Sequence, residues 1–434
     1  MSLMKKIKEK TARIAIIELG YVGLPLAVEC GKAGFSVTGI DLNEEKIEML
    51  NQGQNYIPDI SDNDIVKLVS NAKLKATNAF KEVGKSDIVI ICVPTPLDKN
   101  KQPTTRFIEE AMDAAFPYIR REQLFILEST SYPGTTEEII LLKIERKGLE
   151  VGKDFYLAYS PERIDPGNPH FNVRNVPKVV GGVTLDCTEV AAAFYEEITT
   201  GGVFKVSSPR VAEMEKLLEN IFRIVNISLV NEMAMLCDKM GINIWEVISA
   251  AKTKPFGFMP FYPGPGAGGH CIPLDPFYLA WKAKEYDFST RFIELAGEIN
   301  DKMPEYIVSK VADTLNKAKK STNGSKILII GMAYKKDIGD IRESPAIKVA
   351  KLLLIAGAEI VYHDPFVPSV EISTKKYYSE KLTPDLIKDT DLVLIITNHS
   401  QIDYDMISKN ASLIYDSRNV MGYTEKTFKF GNWE

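Results

Sequence analysis

Short apolar runs alternate with segments of helical period along most of the chain. Arg13-Ile-Ala-Ile-Ile17 suits a strand buried on both faces, and the turn Glu18-Leu-Gly-Tyr-Val-Gly-Leu-Pro-Leu-Ala27 follows it. A helical segment runs on through Ala33, and Phe35-Ser-Val-Thr-Gly-Ile-Asp41 reads as a second strand ending in an acid. Residues 86–96, 123–130 and 155–163 are further buried strands. Their C-terminal ends carry Thr95, then Glu128, Ser129 and Thr130, then Glu162. In an open α/β sheet such ends line the ligand crevice. A single strand-end glutamate is usually a solvated surface residue, but several polar ends in one sheet point to a site.

Residues 209–240 contain few breakers. Pro209 suits a first turn, and Val211, Met214, Leu217, Leu218, Ile221 and Val225 recur at helical spacing. Lys216 and Asn220, four apart, share one face; the plain alternative is an exposed Lys–Asn pair. With 290–318 this segment forms a helical block, and its two apolar faces predict packing against another subunit. The α/β pattern then returns, with strands at 326–333, 358–364, 390–397 and 411–418 and a helix at 344–356. Lys335 and Arg342 follow the first turn of this half, as phosphate contacts or as solvated cations.

Strand, glycine turn, helix, strand and an acid roughly twenty residues after the turn form the dinucleotide-binding layout. Gly20 and Gly23 would sit under a pyrophosphate at the helix N-terminus, and Asp41 would hold a ribose. One position departs from G-x-G-x-x-G: Glu18 stands where the first glycine is expected. A side chain there crowds the turn, and its charge repels a pyrophosphate.

Between the halves lies Phe261-Tyr-Pro-Gly-Pro-Gly-Ala-Gly-Gly-His-Cys-Ile-Pro-Leu-Asp-Pro276, with four glycines and four prolines. Neither a helix nor an ordinary strand is expected there. Glycines let backbone amides approach a ligand closely. Cys271 sits in this loop with Asp275 four residues on; it is either a nucleophile or a small buried residue in a turn.

Composition narrows the function classes. The 434 residues are 45% hydrophobic, enough for two or three domains. A net charge of −5 supplies no basic field, so no nucleic-acid partner is expected. The five cysteines are scattered and never form C-x-x-C, which argues for a reducing compartment and against a zinc ribbon. The four histidines lack ligand spacing, so no metal is expected. The charged N-terminus lacks the apolar core of a signal peptide, and no run of about 18 apolar residues exists. A cytoplasmic protein without a membrane partner is the expectation.

Six motifs occur in one order: Gly-Tyr-Val-Gly-Leu (20–24), Cys-Val-Pro-Thr-Pro (92–96), Ser-Pro-Glu-Arg (160–163), Glu-Met-Glu-Lys-x-x-x-Asn (213–220), Gly-Pro-Gly-x-Gly-Gly-His-Cys (264–271) and Arg-Glu-Ser-Pro (342–345). Together they resemble the UDP-glucose/GDP-mannose dehydrogenase family over nearly the whole chain. Residues 253–264 and 270–279 look most like its UDP-N-acetylhexosamine 6-dehydrogenases. The resemblance implies an α/β fold of two Rossmann-like, doubly wound domains joined by a central helical dimerisation domain. The expected boundaries are 1–207, 208–320 and 321–434.

The same resemblance implies four-electron, NAD-dependent oxidation of a sugar-nucleotide C6 hydroxyl to a carboxylate. UDP-N-acetylglucosamine leads, and the mannosamine, galactosamine and glucose compounds are alternatives. It makes Cys271 the nucleophile, through a thiohemiacetal and a thioester. Lys216 and Asn220 would steady an oxyanion, Asp275 and Thr130 would order a water and help move the first proton, and Glu162 would assist thioester hydrolysis. Gly20, Tyr21, Val22, Gly23, Asp41, Lys46, Thr95, Thr130 and Arg342 fall at NAD positions. Glu162, Lys216, Asn220, Phe261, Tyr262, Gly264, Gly268 and Lys335 fall at substrate positions. A homodimer or larger homo-oligomer is implied. Two other classes compete: a non-catalytic sugar-nucleotide-binding protein, on account of Glu18, and an ordinary two-electron dehydrogenase.

Overall fold

The computed structural model describes residues 2–57, 60–98, 102–165, 167–168, 170–269 and 271–432. They pack as two compact units, Met1–Glu219 with Phe277–Phe288, and Asn220–Pro276 with Ser289–Glu434.

The first unit is built on eight strands: β1 (Arg13–Ile17), β2 (Ser36–Ile40), β3 (Leu74–Thr77), β4 (Ile88–Ile91), β5 (Leu124–Leu127), β6 (Tyr156–Tyr159), β7 (Lys178–Gly182) and β8 (Val203–Val206). They are ordered β3-β2-β1-β4-β5-β6-β7-β8. Every pair is parallel except β6–β7. Successive residues of β1 point to opposite faces, and both faces are covered. Ile14 and Ile16 join one apolar cluster, Ala15 and Ile17 another. That double burial is why the strand reads as an unbroken apolar run rather than an alternation. The order reverses at β1, between β2 and β4, so the crevice of this sheet opens at the C-terminal ends of those strands.

The second unit carries a parallel sheet in the order β10-β9-β13-β14-β15. Its strands are β9 (Lys326–Ile330), β10 (Glu359–His363), β13 (Leu392–Ile395), β14 (Ile414–Asp416) and β15 (Thr427–Lys429). A hairpin of β11 (Ser369–Ile372) and β12 (Lys375–Tyr378) follows β10. Both sheets are therefore α/β, as the pattern predicted.

The long helix runs Pro209–Met240, the limits its sequence predicted. Its apolar residues divide: Leu217, Ile221 and Ile224 are buried, whereas Val211, Met214, Leu218 and Phe222 are exposed. The reading of Lys216 and Asn220 as an exposed pair fails, since each is only 6% exposed.

The glycine–proline stretch departs from expectation. Residues 261–269 form a loop, but a helix spans Cys271–Ala283. Pro273 falls in its first turn, where the missing amide has no intrahelical partner in any case. Pro276 lies inside the helix and forgoes one backbone bond. His270 lies outside the described residues.

Candidate active site

In the first unit the C-terminal end of β1 leads through a tight turn into the helix Gly23–Lys32. A Cβ on Gly23 would lie 1.9 Å from the Glu18 carbonyl oxygen, so glycine is required there. Asp41 directly follows β2 and is buried. Its carboxylate accepts from the Leu19 amide at 2.9 Å and from the Asn43 amide at 2.9 Å. Lys46 approaches Asp41 at 3.7 Å and Glu18 at 3.3 Å. The Tyr56 hydroxyl donates to the Leu19 carbonyl at 2.9 Å, fixing the turn from the other side. Beside Asp41 opens a cavity of about 280 Å³ with apolar walls from Ile17, Ile40, Phe80, Val93 and Phe107. A glycine-walled turn, an acid and an apolar slot fit the phosphates, ribose and base of a dinucleotide. Tyr21 and Val22 belong to that turn.

Three further predicted residues lie along the same edge. Thr95 is buried, and its carbonyl accepts from the Tyr278 hydroxyl at 2.8 Å. Thr130 follows β5 and is half-buried. Glu162 follows β6; one carboxylate oxygen accepts from the amides of Arg163 and Ile164 at 2.6 and 2.8 Å. The other meets Lys178 Nζ at 2.9 Å. Lys178 is 2% exposed and also reaches Glu128 at 3.2 Å, while the Tyr195 hydroxyl donates to Glu128. Burial works against the charge on Lys178, yet the two carboxylates outweigh it and raise its pKa above the ordinary lysine value. Burial likewise raises the pKa of Glu128, against the attraction of Lys178. Lys178 and Tyr195 escaped the sequence reading. The available signal was a lysine opening the otherwise apolar run Lys178-Val-Val-Gly-Gly182.

On the helix Pro209–Met240, Lys216 lies among acids. Arg163 Nε pairs with Glu219 at 3.0 Å, and Glu215 lies one turn before Glu219. Burial and the neighbouring Glu219 push the Glu215 carboxyl up to about 7.

In the second unit the Asn220 side-chain amide donates to Oδ2 of Asp275, and both residues are buried. Cys271 opens the helix that carries Asp275, one turn earlier on the same face. The positive end of a helix favours an anionic sulfur. Of the five free cysteines, four are buried and Cys271 is partly exposed.

The loop before Cys271 is anchored by backbone bonds. The Gly264 amide donates to Asn231 at 2.9 Å and the Ala267 amide to Asn300 at 2.6 Å. The Gly269 amide donates to the Arg342 carbonyl at 2.9 Å. A Cβ on Gly268 would lie 2.7 Å from Tyr334 and 2.8 Å from the Glu343 carbonyl, so the stretch carrying Lys335 and Arg342 packs directly on this loop. Phe261 packs edge-on against Phe222 at 5.7 Å. Tyr262 stacks on Trp245 at 6.3 Å. Arg342, expected as a phosphate contact, is gripped by Asp340, with Nη2 to Oδ2 at 2.6 Å.

Arg418 is a residue the sequence reading passed over. A Cβ on Gly264 would lie 2.4 Å from its Nη1, so only glycine lets the guanidinium lie against the loop. Its Nε donates to the Ile396 carbonyl at 2.7 Å. Burial pushes its pKa down to about 10, partly offset by Asp416. Its cue was an arginine just past a strand end, at Asp416-Ser-Arg418. At the turn after β9 the amides of Met332 and Ala333 donate to Asp364 at 2.7 and 2.9 Å, so the acid ending β10 occupies that turn. No group of histidine, cysteine and acid suited to a metal ion occurs among the described residues.

Known proteins bear on both units. The NAD-binding, central and UDP-binding domain models of the UDP-glucose/GDP-mannose dehydrogenase family match residues 12–199, 210–302 and 328–423. A UDP-N-acetyl-D-glucosamine 6-dehydrogenase from Pseudomonas aeruginosa is 37% identical over 369 residues, covering 85% of this chain and 86% of that protein. A UDP-N-acetyl-D-mannosamine dehydrogenase from Pyrococcus horikoshii is 35% identical over 416 residues, covering 94% and 96%. A solved structure of the UDP-D-ManNAc dehydrogenase from Pyrococcus horikoshii aligns with a TM-score of 0.88 at 32% identity, over 97% of this chain and 99% of that one.

Proposed function

The chain belongs to the UDP-glucose/GDP-mannose dehydrogenase family of NAD-dependent oxidoreductases, and on that premise we propose that it oxidises C6 of a UDP-N-acetylhexosamine to the carboxylate. The observation carrying this reading is the Asn220–Asp275 hydrogen bond one helical turn from the partly exposed Cys271. UDP-N-acetylglucosamine is the proposed sugar, by likeness to the Pseudomonas aeruginosa relative. The mannosamine epimer is the second reading, favoured by the Pyrococcus horikoshii relative. Comparing turnover on the two sugars decides between them; preference for UDP-glucose would overturn both.

NAD, when bound, supplies a hydride acceptor. Gly20, Tyr21, Val22 and Gly23 would hold its phosphates, Asp41 and Lys46 its ribose, with Thr95, Thr130 and Arg342 as further contacts. In the proposed chemistry Asp275 and Thr130 order a water that takes the C6 hydroxyl proton. Loss of that proton together with a first hydride from C6 would give the aldehyde; Cys271 Sγ would add to its carbonyl carbon, and Lys216 and Asn220 would stabilise the oxyanion that forms. Loss of hydride from this thiohemiacetal leaves a thioester on Cys271, and Glu162 directs water to it, releasing the acid and the thiol. Phe261, Tyr262, Gly264, Gly268 and Lys335 would seat the sugar nucleotide, with Arg418 added as an anion contact. The intact set of sulfur, cation, amide and acid argues against a non-catalytic homologue.

The exposed stripe through Val211, Met214, Leu218 and Phe222 supports a homodimer packed along this helix. Five free cysteines support work in a reducing compartment such as the cytoplasm. A sugar-nucleotide uronate of this kind would feed surface polysaccharide synthesis.

A further inference from the structure

We propose that Glu18 is an internal anion that occupies the phosphate-binding turn and competes with the dinucleotide for it. The inference rests on the reading of residues 18–23 as the dinucleotide turn.

Glu18 holds φ at 78°, the left-handed region that favours glycine. It thus keeps the backbone shape of the glycine it replaces while adding a carboxylate. That carboxylate folds back over the turn, accepting from the Gly20 amide and pairing with Lys46 at 3.3 Å. A Cβ on Gly20 would lie 2.6 and 2.8 Å from its two oxygens. An amide of the turn and the nearest lysine are the groups a pyrophosphate would use here. Before any cofactor arrives, both already serve this side chain.

Two negative groups on one amide and one lysine repel each other, so either the carboxylate takes up a proton or it leaves the turn. Protonation is the shorter route. Burial already raises the Glu18 carboxyl above its usual pKa, against the opposing pull of Lys46. The other titratable groups around it are Asp41 directly after β2, Tyr56 beyond the helix Glu44–Asn51, Cys92 after β4, and Glu110 on the helix Arg106–Ala115 that lines the adjoining cavity. The acids among them add negative charge, so an incoming phosphate raises the Glu18 pKa further. Binding then takes up protons and tightens as pH falls.

The test is calorimetric titration of the full chain with NAD at pH 6 and pH 8, each in two buffers of different ionisation heat. Wild type, Glu18→Gln and Glu18→Gly are compared. The expected result is proton uptake by wild type that both variants lack, and binding by Glu18→Gln at pH 8 tighter on the order of tenfold. Asp41 is present in all three proteins, so the difference in proton count is the readout. Equal dissociation constants and equal proton counts in wild type and Glu18→Gln would overturn the proposal. Absence of NAD binding in all three would overturn instead the reading of this turn as the dinucleotide site.

Discussion

The side-chain amide of Asn220 donates to Oδ2 of Asp275, joining two buried residues 55 positions apart in sequence. The bond fixes the carboxylate one helical turn from Cys271, so the positions of acid and thiol are set together.

Asn220→Ala leaves a buried carboxylate oxygen without this donor, a loss of about 1–3 kcal/mol. Thermal unfolding should therefore occur at lower temperature. If Asn220 also stabilises an oxyanion, kcat should fall about 10²–10³-fold. Asp275→Asn should be well folded yet slow, which separates the structural effect from the chemical one.

Lys178 is buried between Glu128 and Glu162. Lys178→Met strands two buried carboxylates, at a cost of about 3–5 kcal/mol. Glu128 already has a raised pKa, and without the lysine it should ionise still less readily. A raised acid pKa favours folding below the unfolded value and loses that benefit as pH rises. Chemical denaturation should therefore show a larger deficit at pH 8 than at pH 5.

Glu215, with its carboxyl pushed up to about 7, is a second pH-dependent element. Its protonated form is compatible with the fold at low pH, and the advantage is lost between about pH 4.5 and 7 as the unfolded chain ionises first. Glu215→Gln should flatten the stability–pH curve across that window and exceed wild type at pH 8. A curve unchanged by the substitution would mean that another group carries the dependence.

Gly264 and Arg418 make a steric prediction. A methyl at Gly264 would lie 2.4 Å from the guanidinium and must displace it. Gly264→Ala should raise KM for the UDP-sugar more than it lowers kcat, and Arg418→Lys should do the same without crowding the loop. Initial-rate kinetics on both variants checks this.

The strands were legible because parallel strands buried on both faces must be continuous apolar runs, as in Arg13–Ile17 and Ile88–Ile91. The limits of Pro209–Met240 were legible because breakers flank it. Which of its apolar residues face the core was not, since an exposed stripe such as Met214 and Leu218 has the same period as a buried one. The helix at Cys271 was missed because proline breaks a helix interior but not a first turn. Lys178 was missed because its partners lie 50 and 16 positions away, and nothing local marks a lysine as paired.

The most direct test of the central claim is the number of NADH formed per UDP-N-acetylglucosamine consumed, at saturating NAD, in wild type and Cys271→Ser. The account predicts two NADH per sugar in wild type and a stalled reaction in Cys271→Ser. One NADH per sugar, with the serine variant as active as wild type, would contradict the thioester route.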